Sequence, residues 1–312
     1  MTNFIEYPTV VISIDFEMRW GVHDIYALDF DGYRKNLENC RDVVIVTLQL
    51  LIERNLRATW ATVGALGMDD WDDYYSFAPP PPAYSDPRLA VCHEYADMDP
   101  EGIFHFAPDL IRNIVNSEGQ DLGSHSFSHL YFQEPGITKE DFLLDMAAVE
   151  KLWRERFGVI PVSLVFPRNQ SGFLEELDLT SIKIWRGNES AWFYNNNTHS
   201  NNSLYPRLLR FSDSLNPFTN RISRLENKMV RASMFIRFSL PEPLWRLQLI
   251  KLKNELNSLS AGDVSHIWWH PHNLGFDLKT GVFRLTQVLD LIAEKCSSKN
   301  IVSKNMQDIS GP

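Results

Sequence analysis

The chain alternates short, β-branched apolar runs with longer segments of helical periodicity. Residues 10–15 (VVISID) form an apolar run that ends in an acid, the pattern of a buried parallel strand delivering a side chain at its C-terminal edge. Residues 37–54 carry apolar positions at helical spacing and stop at Asn55, and residues 57–63 (RATWATV) resemble a second strand, which completes a βαβ unit. Residues 106–117 predict a helix and 120–123 a strand. The clearest helix is predicted over 138–157, with Thr138 and Asp141 spaced as a capping box and Gly158 as the stop. Further strands are predicted at 162–166, 181–185, 264–269 and 301–303. Strands interleaved with helices imply an α/β fold built on a parallel sheet, open or closed into a barrel.

Two stretches break this alternation. Residues 69–101 contain four successive prolines and little periodicity, and predict a long loop rather than a core element. A second insertion spans about 187–260; it begins with an Asn-rich piece, NNNTHSNN, that predicts a surface loop. Residues 205–260 hold ten Lys/Arg and four Asp/Glu, a local charge of +6 within a protein of net charge −10. A solvated helical face accounts for this; the sharper reading is a patch for an anionic substrate or for peripheral contact with membrane headgroups. With 312 residues and 44% hydrophobic content, the chain fits a single α/β domain as well as two; it is read as one domain, 1–312, carrying both insertions.

The acidic balance argues against nucleic acid as a partner, because phosphate backbones need a cationic face. No apolar run approaches the ~20 residues of a transmembrane helix. The start, MTNFIEYP, lacks the basic and apolar segments of an export signal, so the expected location is cytoplasmic. Cys40, Cys92 and Cys296 are odd in number and share no CxxC spacing, which predicts buried thiols rather than disulfides or a thiolate metal site.

Chemistry gathers at the predicted strand ends. GSHSFSHL (residues 123–130) places His125 and His129 four apart, so that on a helical turn they would share a face at about 5–6 Å between Cβ atoms, close enough to hold one divalent ion. The first strand ends in Asp15-Phe16-Glu17, with both carboxylates on one face of an extended chain. VFPRN offers Arg168 and Asn169, and IWWHPHN offers His270 and His272. An arginine can hold a carboxylate by two hydrogen bonds, and a histidine can donate a proton near neutral pH. Trp20, Trp60, Trp185, Trp268 and Trp269 fall near these ends; their rings suit sugars, although core packing is the commoner use.

In this order the motifs SIDFE, HSFSH, FPRN and WWHPH resemble those of the polysaccharide deacetylases, carbohydrate esterase family 4, over residues 10 to about 272. The resemblance implies a distorted (β/α) barrel of about seven parallel strands. It also implies one divalent metal ion, zinc first, with cobalt, nickel or iron as alternatives. Carried over, Glu17, His125 and His129 become metal ligands, Asp15 the base oriented by Arg168, and His270 the acid. His272, Trp269 and Asn169 become substrate contacts. The first motif departs from the family's adjacent aspartates, since Phe16 cannot bind metal, so Asp15 and Glu17 could exchange roles. Arg168 follows rather than precedes its proline, and His272 is an alternative acid. The implied function is removal of an N-acetyl group from a sugar in a glycan intermediate of surface polysaccharide assembly, nucleotide- or lipid-linked. A ureide or imide hydrolase, a deformylase, and a non-catalytic carbohydrate-binding relative are the alternatives.

Overall fold

In the computed structural model, residues 5–24, 31–90, 94–194 and 204–311 are described. Cys92 and the NNNTHSNN stretch lie outside the described residues. The strands are β1 (Thr9–Phe16), β2 (Ala58–Thr62), β3 (Gln120–Ser124), β4 (Ser163–Val165), β5 (Ile184–Gly187), β6 (Met229–Arg231), β7 (Met234–Phe235), β8 (Val264–Trp269) and β9 (Val302–Lys304). Between them lie α1 (Asp31–Glu38), α2 (Cys40–Glu53), α3 (Trp71–Phe77), α4 (Glu94–Met98), α5 (Pro108–Val115), α6 (Lys139–Phe157), α7 (Leu204–Leu215), α8 (Glu242–Ser258), α9 (Leu278–Lys299) and α10 (Met306–Ile309).

The strands pair in parallel in the order β6-β5-β4-β3-β2-β1-β8-β7. Only Ala232 and Ser233 separate β6 from β7, and they bond to opposite ends of that order: Ala232 N–H donates to Gly187 O and Ser233 N–H to His266 O, each at 2.8 Å. This kinked stretch draws the two sheet edges together and gives the distorted (β/α) barrel expected from the motifs. β1 pairs β2 through Ser13–Phe16 and β9 through Thr9–Val11, so β9 occupies the lower half of the edge that β2 leaves open.

Alternation sorts the side chains. Ile12, Ile14 and Phe16 point outward into the main apolar layer beneath the helices. Val11, Ala61, Val165, Ile184, Val230 and Val264 fill the barrel's lower interior with Met306 and Ile309 of α10. Above them the interior turns polar. α6 forms as predicted: Thr138 Oγ1 accepts from Asp141 N–H, Asp141 returns the bond to Thr138 N–H, and Gly158 closes the helix at φ 68°.

Two expectations need correction. Residues 69–101 are not simply a loop: Asp70 caps α3 by accepting from Asp73 N–H at 2.8 Å, and Trp71, Tyr74 and Tyr95 are buried in the core. The prolines conceal a short helix whose aromatic residues lie i, i+3 on one face. Residues 187–260 are likewise not all insertion, because β6 and β7 close the barrel. Strands of three and two residues are too short to show a period. Cys40 is buried as expected, while Cys296 is half-buried. Among the described residues no helix is long and apolar enough to cross a membrane.

Asp121 of β3 lies inside the barrel, where its Oδ2 accepts from Thr59 Oγ1 at 2.8 Å and Ser163 Oγ at 2.7 Å. Burial pushes its carboxyl up to about 6 despite these bonds. A folded-state pKa above the unfolded one stabilises fully below about pH 4, and that contribution is lost as pH rises through about 6. Asp121→Asn is therefore expected to match wild type near pH 4 and to be the more stable protein at pH 8, by on the order of 2–3 kcal/mol. Urea unfolding at both pH values checks the sign; equal stability at pH 8 would refute it.

Candidate metal centre

β1 delivers Asp15 inward, and Glu17 follows at its end. Phe16 between them turns outward to meet Trp60 edge-on, 6.3 Å between ring centroids. Glu17 sits 4% exposed, and room for it depends on Gly21: a Cβ there would lie 2.0 Å from Glu17 Cδ.

β3 ends at Ser124, and His125 N–H still bonds Thr62 O at 2.9 Å. The HSFSH segment then turns without forming a helix, with Ser126 at φ 59° and His129 at φ 55°. Each left-handed residue costs about 1–2 kcal/mol. The turn is held by Asp145 of α6, whose carboxylate accepts Phe127 N–H at 2.6 Å and Ser128 N–H at 2.9 Å, and by Ser126 Oγ accepting Leu130 N–H at 2.8 Å. The histidine rings end 5.2 Å apart between centroids.

His125 Nδ1–H donates to Val165 O at 2.8 Å, which leaves its Nε2 lone pair facing Glu17 Oε2 at 3.2 Å. His129 Nε2 stands 3.1 Å from the same oxygen. One donor atom from each of Glu17, His125 and His129 lies within 4.8 Å of the others, and all three residues are buried. A carboxylate after β1 and two imidazoles from the turn after β3, with the tautomer of one imidazole fixed by a carbonyl, fit a divalent ion. Burial would raise the Glu17 carboxyl, but its imidazole neighbours, His270 first, hold it well below the ordinary carboxylate range. Burial pushes His129 down to about 4, so it is neutral near pH 7, as a ligand must be.

Asp15 is held by Arg186, not by Arg168. Arg186 Nη1 and Nη2 donate to the two Asp15 oxygens, each at 2.8 Å, and the same guanidinium bonds Ser13 Oγ at 2.9 Å and Asn169 Oδ1 at 2.8 Å. Its carbon lies 4.2 Å from the Trp268 ring centroid. Burial alone would raise the Asp15 carboxyl; Arg186, helped by His125 and His270, more than offsets this and keeps it below the ordinary range. Arg168 turns away because it and Asn169 both adopt left-handed backbone, φ 53° and 54°, and it pairs instead with Asp24 beneath the Tyr131 ring. It still lines the cleft.

His270 Nε2 lies 3.4 Å from Glu17 Oε1 and 3.7 Å from Asp15 Oδ2, with the ring one-fifth exposed. Asn273 Nδ2 donates to His270 Nδ1 at 3.3 Å, and Tyr33 O–H donates to Asn273 Oδ1 at 2.9 Å, which fixes the amide and leaves the His270 proton on Nε2. His272 is 3% exposed and driven by burial down to about 3. An open cleft of about 350 Å³ joins these groups, lined by Asp15, Glu17, His129, Arg168, Asn169, Trp268, His270 and His272. Trp269, expected at the substrate, is fully buried against Phe238 on the helical side; its neighbour Trp268 has the inward parity instead. Trp20 and Trp60 are also core.

Sequence reasoning missed Arg186, Asp145 and the Tyr33–Asn273 pair. Arg186 stands at the end of a predicted strand, like Asp15, His125 and His270, and that position was its available signal.

No family model and no curated protein matches the sequence. Solved structures match in fold. A protein of Mycobacterium smegmatis described as a polysaccharide deacetylase is 13% identical, with 97% of this chain and 89% of that one covered and a TM-score of 0.52. One of Pseudomonas aeruginosa PAO1, also described as a polysaccharide deacetylase, is 12% identical, with 97% and 89% covered and a TM-score of 0.57. The chain thus has the fold of the polysaccharide deacetylases, as its motif order implied.

Proposed function

We propose that this protein is a metal-dependent hydrolase that removes an N-acetyl group from a sugar, with the substrate taken from a glycan intermediate of polysaccharide assembly. The observation that carries the reading is the Glu17–His125–His129 cluster facing, across one cleft, an aspartate clamped by a buried arginine. A divalent ion held by those three residues supplies Lewis-acid polarisation of an acyl carbonyl and of water.

The chain's own residues supply the rest. Asp15, kept ionised and aimed by Arg186, accepts the proton of the attacking water. In its imidazolium form His270 donates the proton of Nε2, the nitrogen that faces both carboxylates, to the departing amine and returns to the neutral ring. The geometry favours Glu17 as ligand and Asp15 as base, because both Asp15 oxygens are taken by Arg186 while Glu17 Oε2 lies between two imidazoles. It favours His270 over His272 as acid, because burial keeps His272 neutral. Asn169 and Trp268 border the space for the sugar.

His270→Gln is expected to lower kcat for acetate release by about 10²–10⁴-fold while leaving bound metal unchanged. Acetate release assays with metal analysis on the same samples test this; an unimpaired kcat would remove His270 from the reaction.

A further inference from the structure

Beyond the Glu17 centre the cleft continues into a second compartment of about 270 Å³, which shares Arg168, Asn169, Trp268 and His270 with the first. Its far wall comes from the basic insertion, with Arg210 on α7 and Arg237 two residues after β7. Arg237 is held rigidly: its guanidinium carbon lies 4.9 Å from the Phe235 ring centroid and 5.6 Å from that of Phe211, and Nε donates to Ser214 Oγ at 3.3 Å. Among the described residues Arg237 forms no ion pair with a carboxylate. A planar cation partly stripped of water and braced by two rings suits a phosphoryl oxygen pair.

The neighbours sharpen this reading. Burial pushes the Arg237 guanidinium below its ordinary value, and the nearby Arg210 adds to the shift. Burial likewise lowers Arg210, with Arg207 beside it. Glu189 is a carboxylate on this lining; burial raises its carboxyl, and its charge acts on Arg237 and Arg210 without an ion pair to Arg237. Arg207, Arg210 and Arg237 also line the next depression along the surface, together with exposed Leu204 and Leu208. Three arginines along one groove concentrate positive potential that favours an anion there.

We infer that this compartment binds the phosphoryl group of a phosphate or diphosphate ester of an acylamino sugar whose amide lies at the Glu17 centre. The placement of the amide rests on the deacetylase reading; the anion site rests on its own residues. Nucleotide-linked and prenyl-linked sugars share this chemistry.

The test titrates inorganic pyrophosphate calorimetrically into the metal-loaded wild type and into Arg237→Gln and Arg210→Gln, each checked for folding by circular dichroism. Each substitution is expected to weaken binding by about tenfold or more. Absence of binding to wild type, or binding unchanged in both variants, overturns the proposal; the latter would put the anion on the metal. If Arg237→Gln does not fold, Arg210→Gln carries the test. In parallel, the kcat/KM ratio for N-acetylglucosamine 1-phosphate over N-acetylglucosamine should exceed about ten in wild type and fall toward one in the variants. A wild-type ratio near one also overturns it. Comparing nucleoside-diphosphate-linked with prenyl-diphosphate-linked N-acetylglucosamine then separates the two sources. Arginine-dependent pyrophosphate binding without acetate release from any of these would sink the deacetylase reading and leave the anion site standing.

Discussion

Replacing Arg186 by methionine is expected to destabilise the protein by about 3–5 kcal/mol and to abolish acetate release. The guanidinium is fully buried and gives both terminal nitrogens to Asp15, so the variant leaves a carboxylate inside the barrel with burial no longer offset. Ser13 and Asn169 lose a donor at the same time. The Asp15 carboxyl would then rise, so the stability deficit should shrink as pH falls and the group becomes neutral. An Asp15→Asn/Arg186→Met double variant should recover part of the loss, because removing both charges costs less than stranding one. Urea unfolding of the single and double variants measures this coupling. A cost below about 1 kcal/mol for Arg186→Met would mean that the pair contributes little and that Asp15 is oriented by something else.

Glu17→Gln is expected to weaken metal binding by at least about 100-fold, since even residues that only orient a ligand cost 10–100-fold. The substitution keeps the size of the side chain but removes the anion from between His125 and His129. Asp15→Asn should retain the metal and lose the activity. Together the two variants separate ligand from base: metal lost from Asp15→Asn and kept by Glu17→Gln would reverse the assignment. Isothermal titration with zinc or cobalt, paired with acetate release, reads both.

Much of the site was legible because the fold repeats one arrangement. Strands of a parallel sheet all deliver chemistry at the same edge, so Asp15, Glu17, His125, His129 and His270 announced themselves as ionisable residues following apolar runs. Parity along β8 could also have separated Trp268 from Trp269, because inward and outward positions alternate strictly. Arg168 misled because the sequence does not reveal that residues 168 and 169 both turn left-handed, which swings the arginine to Asp24 and leaves Asn169 beside Arg186. β6 and β7 were hidden by their length: strands of three and two residues carry no period, and only pairing with β5 and β8 makes them strands. Asp145 was invisible for a different reason. It lies within a helix whose signals are all local, while its function is to hold a turn of residues 17–18 positions earlier in the chain.

The proposed hydrolysis of an acylamino sugar depends on a metal ion held by Glu17, His125 and His129. Its most direct test measures acetate release by chelator-treated protein as zinc or cobalt is added back. Activity should rise linearly and saturate at one ion per chain, and a His125→Ala protein should stay inactive throughout. Acetate release at full rate from the metal-free protein, or its recovery in His125→Ala, would contradict the account.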